Sequence, residues 1–298
     1  MGFKIHPNGG GLVAETAYVA KTAYVGPEAV VYDYAIVKDN ARIEEQARVS
    51  GYAVISGTST VSDNARIYGN AELSGDVYVG GDALVYGNAR LHGDVGVSDH
   101  AQVYGNARLR GRVRINDFAR VYDYAEISQT EISQRPFGPK NTERYIATSF
   151  AMVNGRARVY GQARVYDDAE VDEDAKVYGK ARILEKAKVV GASQVYEYAE
   201  IAGNASIQDK AKILGSVCIF GNAEVTGDAI VKGEAKVYDD AHISDHAKVS
   251  GKATVYGEAF VYDRARITGS AKISGDTRVH SNAKIGDDIN LETGFYST

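Results

Sequence analysis

Cut every six residues, the chain repeats one pattern of small, aliphatic and polar positions, as in ARIYGN (65–70), AELSGD (71–76) and ALVYGN (83–88). The frame runs from Gly11 to Thr130 and resumes from Ala151 to Asp288, giving 20 units and then 23. The third position is Val, Ile or Leu in all 43 units, and the first is Ala in 35, with Ser, Val, Thr or Gly elsewhere. Side chains two apart on an extended segment share a face, so first and third positions are predicted interior and the second exterior. Gly or Asp usually follows at the fifth position, where a bend needs tolerance of positive φ. Each unit thus predicts one short strand and one corner.

A longer period sets the coil. Tyr32, Tyr68, Tyr86, Tyr104 and Tyr122, all at fourth positions, are separated by multiples of 18, and the exceptional interior residues Ser59, Val77, Val95 and Val113 are also 18 apart. Three units therefore make one turn of an all-β parallel solenoid. Forty-three units give about 14 triangular coils, or a rod on the order of 70 Å long at about 4.8 Å per rung. Residues 131–150 break the frame and carry Pro136 and Pro139. Counting faces forward from Ala151 puts Tyr160, Tyr178 and Tyr196 on the face of Tyr122, so the segment is expected to be a loop excursion without loss of register. The organisation is a cap (1–10), a first block (11–130), the loop (131–150), a second block (151–288) and a cap (289–298).

Units such as Val-Tyr-Gly-Asn-Ala-Arg resemble the hexapeptide-repeat superfamily of left-handed parallel β-helices, over nearly the whole chain. Left-handedness is implied by that resemblance alone, since ordinary crossovers are right-handed. The monotonous repeat style also resembles β-helical proteins encoded by phages and prophages. The superfamily includes acyltransferases that use an acyl-CoA donor and a His base beside an inter-subunit cleft. Under that implication acetyl-CoA is the cofactor, and His92 and His100 are the candidate bases. An exposed His replacing Tyr or Asn is the plainer reading of each. The array lacks an appended helical pattern and runs nearly the full chain, which favours a structural or interaction rod over the enzyme.

Charge and composition narrow the field further. With 34 Lys+Arg against 39 Asp+Glu the net charge is −5, too mild for a dedicated polyanion binder, and 44% hydrophobic with 24% charged residues excludes bulk disorder. Arg158, Lys176, Lys212, Lys248, Arg266 and Lys284 nonetheless form a basic column beside the later tyrosines, which keeps a polyanion- or nucleic-acid-binding module as a third, disfavoured reading. Tyr18, Ile36 and Val54 stack as an exterior apolar stripe and predict self-association, trimeric by the superfamily resemblance. In the loop, Arg135, Phe137, Lys140, Arg144 and Tyr145 are candidates for contacting a partner or a ligand phosphate.

Other chemistry finds little support. His242 and His246 are the only close His pair, and the related γ-class carbonic anhydrases use a spacing this chain lacks, so no metal is expected. The acidic clusters at Asp167, Asp168 and Asp172, Glu173, Asp174 are read as solvated corners. The single cysteine, Cys218, has no evident base. With no apolar run near 18 residues and no apolar leader, the expectation is a protein of the cytoplasm or a virion component, with no membrane partner.

Overall fold

The computed structural model describes residues 2–129 and 150–297. It is an all-β solenoid in which each residue pairs in parallel with the one 18 further along, as Arg66 with Leu84 and Leu84 with Gln102. Units beginning at residues 11, 29 and 47 build the first face, those at 17, 35 and 53 the second, and those at 23, 41 and 59 the third. Among the described residues the first face is a 16-stranded sheet. Its first strand, Phe3–Ile5, is an antiparallel cap on Leu12–Ala14, which leaves 15 parallel rungs. The second and third faces merge into one 28-stranded sheet. They do so because Glu72–Val79 and Arg90–Val97 run unbroken across the shared corner.

Interior positions behave as the alternation requires. Ala65, Ile67, Ala83, Val85, Ala101 and Val103 are all fully buried, and the pattern continues along the rod. The replacements fit as well: Val77, Val95, Val113 and Ala151 lie in one paired column, which places the re-entry after the 131–150 segment on the third face. Arg120 likewise pairs with Arg158 across the gap, 38 residues apart, so coil register is kept. Beyond Asp288 the parallel pairing continues, with Asn290–Leu291 on Lys272–Ile273 and Phe295–Tyr296 on Arg278–Val279.

Backbone accounting explains the corners. Even-numbered positions of a unit donate to the coil above, as Arg66 to the Ala83 carbonyl, Tyr68 to Val85 and Asn70 to Gly87. The amide of position one closes the corner on the carbonyl three residues back, as Ala65 does on Ser62. At most corners the position-five amide is left with no backbone acceptor. Where the preceding coil carries Asp or Glu at that position, its carboxylate at most such corners accepts a hydrogen bond from this amide: Asp33 from Gly51 at 3.0 Å, Asp63 from Gly81 at 2.8 Å, Asp209 from Gly227 at 2.8 Å. A buried or half-buried donor needs such a partner.

The same residues hold positive φ, 55° at Asp63 and 64° at Gly81. A β-carbon at Gly81 would sit 2.8 Å from the Asp99 amide nitrogen, so a side chain is accommodated at a corner only with local adjustment. Asp and Glu offset that strain with the hydrogen bond, while Gly avoids it. The Gly81 amide, more than any other group, holds the Asp63 carboxyl below its ordinary range, with Ser62, Glu45 and Tyr78 adding to it.

Two outcomes follow for this residue. Asp63→Ala keeps the left-handed strain and loses the bond, so it should cost about 1–2 kcal/mol in thermal or urea unfolding, whereas Asp63→Gly should recover most of that. Because the folded carboxyl titrates lower than the unfolded one, its contribution is present above pH ~4 and lost as pH falls through the folded value. Asp63→Asn should flatten that acid limb of the stability profile.

Candidate functional site

Positions two and four point outward, so every face presents straight columns of side chains one rung apart. On the first face the fourth position carries a tyrosine ladder. Tyr68, Tyr86, Tyr104 and Tyr122 stack at 4.8–4.9 Å with planes within 4°. Tyr122 stacks on Tyr160 at 5.0 Å, and the ladder continues through Tyr178 to Tyr196. The register count across residues 131–150 is therefore met by the rings themselves. Tyr32 is not part of it: the rung between Tyr32 and Tyr68 carries Ser50, which is buried and offers no ring.

Stacking removes water from the phenols, and this burial is the main reason their hydroxyls resist ionisation. Tyr178 is pushed up to about 12, by burial first and then by the neighbouring Tyr196 and Tyr160 phenols. Around Tyr104 the Arg120 and Arg158 guanidinium groups pull against burial, which places the basic column within electrostatic reach of the ladder. No hydrogen bond ties the ladder hydroxyls to another described residue, in contrast to Tyr166, whose hydroxyl reaches Glu126 at 3.4 Å.

The basic column lies at the second position of the same face. Arg120, Arg158, Lys176, Gln194 and Lys212 succeed one another rung by rung, and none of these cations is ion-paired with a described residue. The other faces differ. On the second, Arg182 pairs with Glu200 at 2.7 Å and Arg164 lies 3.9 Å from Glu126; on the third, Lys188 pairs with Glu170 at 2.9 Å.

The candidate histidines are separate surface residues. His92 is on the second face, with Nδ1 2.9 Å from the Ser74 hydroxyl. His100 is on the corner between the third and first faces, 3.3 Å from Asp82 and stacked on Phe118 at 4.7 Å. The structure does not bring the two together. His242 stacks on Phe260 and lies 3.2 Å from Glu224, while His246 faces Asp228 at 3.5 Å. Among the described residues no group of three or more His, Cys, Asp or Glu is disposed to hold a metal ion. Burial, followed by the Glu200 carboxylate, pushes the Cys218 thiol up, away from the reactive thiolate.

Arg135, Phe137, Lys140, Arg144 and Tyr145 lie outside the described residues. At the edge of that segment Phe150 packs under the guanidinium groups of Arg114, at 4.2 Å, and Arg112, at 5.1 Å. Arg114 is in turn held by Asp94 at 2.7 Å. The apolar stripe stands as a column, Tyr18 beside Ile36 beside Val54, with Tyr18 60% exposed. It is wider than the second-position pattern suggests. Tyr34 and Tyr52, on the adjoining corner, stack at 5.2 Å and are 56% and 63% exposed. Their 18-residue spacing at the sixth position was the available signal, as it was for a second ladder, Phe220, Tyr238 and Tyr256, at the fourth position of the second face.

The ladder makes a measurable prediction. Tyr178→Ala breaks two ring contacts and should cost about 1–3 kcal/mol, whereas Tyr178→Phe should cost little. A phenol raised from 10.0 to about 12 lends stability that is complete below pH 10 and lost as pH rises through about 12. Tyrosinate absorbance should accordingly appear later in the folded protein than in urea, and an early titration of all tyrosines would contradict the stack.

No family model matches this chain, and no curated protein matches it either.

Proposed function

We propose that the chain is a non-enzymatic β-helical rod, of the hexapeptide-repeat kind and in the style of phage-encoded repeats, that serves as a structural or protein-interaction scaffold. The observation that supports this most is the 5.0 Å stack of Tyr122 on Tyr160. A 20-residue interruption leaves the rod's register untouched, so the stacking of coils is kept across it. In a solenoid each coil contacts only its neighbours, and continuous ladders along the exterior stiffen what would otherwise be a chain of local contacts.

Contacts with partners are assigned to two places. The patch of Tyr18, Ile36, Val54, Tyr34 and Tyr52 is apolar, contiguous and bounded on the next rung by Asn70 and Glu72, a form suited to burial against a second copy of the chain. The 131–150 segment is the second contact, for a different protein.

Small-angle scattering should give a protomer length on the order of 70 Å. Light scattering at micromolar concentration should show an oligomer, and Tyr18→Glu with Ile36→Glu should return it to a monomer with an unchanged circular dichroism spectrum. A wild-type monomer would remove the self-association part of this reading. Titration with acetyl-CoA separates the scaffold from the transferase: no binding is expected, and micromolar binding lost on deleting residues 131–150 would replace the scaffold with an acyltransferase.

A further inference from the structure

The first face carries a cation column and a row of phenol hydroxyls to which the scaffold reading gives no role. Its second-position column is free of acidic residues along the whole rod, and its cations, from Arg120 to Lys212, lack ion-pair partners among the described residues. On the other two faces several of the equivalent cations are neutralised by a carboxylate one coil away, as Arg90 is by Glu72, Arg182 by Glu200 and Lys188 by Glu170. Two residues along the same strands runs the ladder from Tyr104 to Tyr196, whose hydroxyls have no described partner. The face therefore presents two parallel rows, one cationic and one of phenol hydroxyls, each advancing one rung of about 4.8 Å per coil. The carboxylates nearest the phenols, Asp123 and Glu197, sit on the corner, and Asp123 already accepts the Gly161 amide at 3.2 Å.

Ring geometry decides what such a track can hold. From Tyr86 to Tyr178 each ring has both faces covered by its neighbours, with planes within 4°. Between Tyr86 and Tyr178 no ring face is open for a nucleobase, and base stacking is the main sequence-tolerant source of affinity for single-stranded nucleic acid. A duplex fits no better, since its charges recur every ~1.7 Å along a curved surface that would touch a flat face only in patches. What matches is a flexible, extended chain whose residues each carry an anionic group and hydroxyls.

We propose that the first face, from Arg120 to Lys212, is a binding track for an extended acidic polysaccharide, with the cation column taking its carboxylates or sulfates and the phenol row its hydroxyls. The interaction is electrostatic and exposed, so it weakens as salt rises.

The test uses the full chain and fluorescence anisotropy with labelled oligogalacturonate, beside neutral dextran and oligothymidylate of similar length. Oligogalacturonate should bind at low salt and dextran should not. Arg158→Gln with Lys176→Gln should weaken binding at least about tenfold. Arg164→Gln with Arg182→Gln, which removes the same charge from the second face, should leave it unchanged. Tyr160→Phe with Tyr178→Phe keeps the stack, checked by circular dichroism and melting, and should weaken binding several-fold. Absence of oligogalacturonate binding, equal losses in the two charge variants, or tighter binding of oligothymidylate would each overturn the proposal. Unchanged affinity in the Tyr→Phe variant would overturn the part assigned to the phenols.

Discussion

The structure depends on the corner at position five. There, from Asp33 to Ser281 among the described corners, the backbone takes positive φ at nearly every one, and at most corners its amide has no backbone acceptor. The corner of one coil lies so close to the next that a β-carbon at Gly51 would be 2.8 Å from the Gly69 nitrogen. Within the regular array a coil one residue longer or shorter would bring a strand under a corner; only the last pairing, Arg278 with Phe295, takes a 17-residue step. A one-residue slip would also turn every interior Ala and Val outward. The fixed 18-residue step therefore follows from three identical corners per coil, and the columns of tyrosine, arginine and asparagine on the outside follow from that step. Asn70, Asn88 and Asn106 show the rule in its simplest form, each side-chain amide passing a hydrogen bond of 3.0–3.1 Å to the next.

Much of this was legible in the sequence because the period is dictated by the most local of constraints. The third position is aliphatic in every unit, so the interior columns could be assigned from the pattern, with Val19 and Ile285 near the ends only partly buried, and the ladder could be carried across residues 131–150 by counting alone. The acidic corners were less transparent. Composition does not reveal that the carboxylates of Asp63, Asp117 and Asp245 are directed at an amide 18 residues ahead in the solenoid, or 38 across the gap. Tyr32 failed for the opposite reason: spacing by a multiple of 18 is not contact, and one missing ring at Ser50 isolates it.

The outer surfaces required both the pattern and the pairing. Tyr34 and Tyr52 lie at sixth positions, which the repeat leaves variable, and only their place beside Ile36 and Val54 turns four separate side chains into one patch. His92 and His100 illustrate the converse. Eight residues apart in sequence, they fall on different parts of the triangle, because a corner separates the second face from the third and His100 stands on the next one.

A net charge of −5 describes the chain and conceals the faces. A solenoid sorts its residues by position modulo 18, so a sequence with mixed charge everywhere can build one face on which acids and bases are mixed and another whose second-position column has no acid. Interspersed charges on the second and third faces satisfy one another between coils, as Arg182 and Glu200 do. On the first face the same mechanism is unavailable, since Arg158 is stacked between Arg120 and Lys176. Like charges one rung apart repel, and exposure to water limits that cost without removing it. Self-association through the apolar patch would leave this face free, because the patch lies on the second face and its adjoining corner, at the N-terminal end of the rod. The two proposed contacts are thus independent in space, one for holding copies together and one for engaging an anion along the rod.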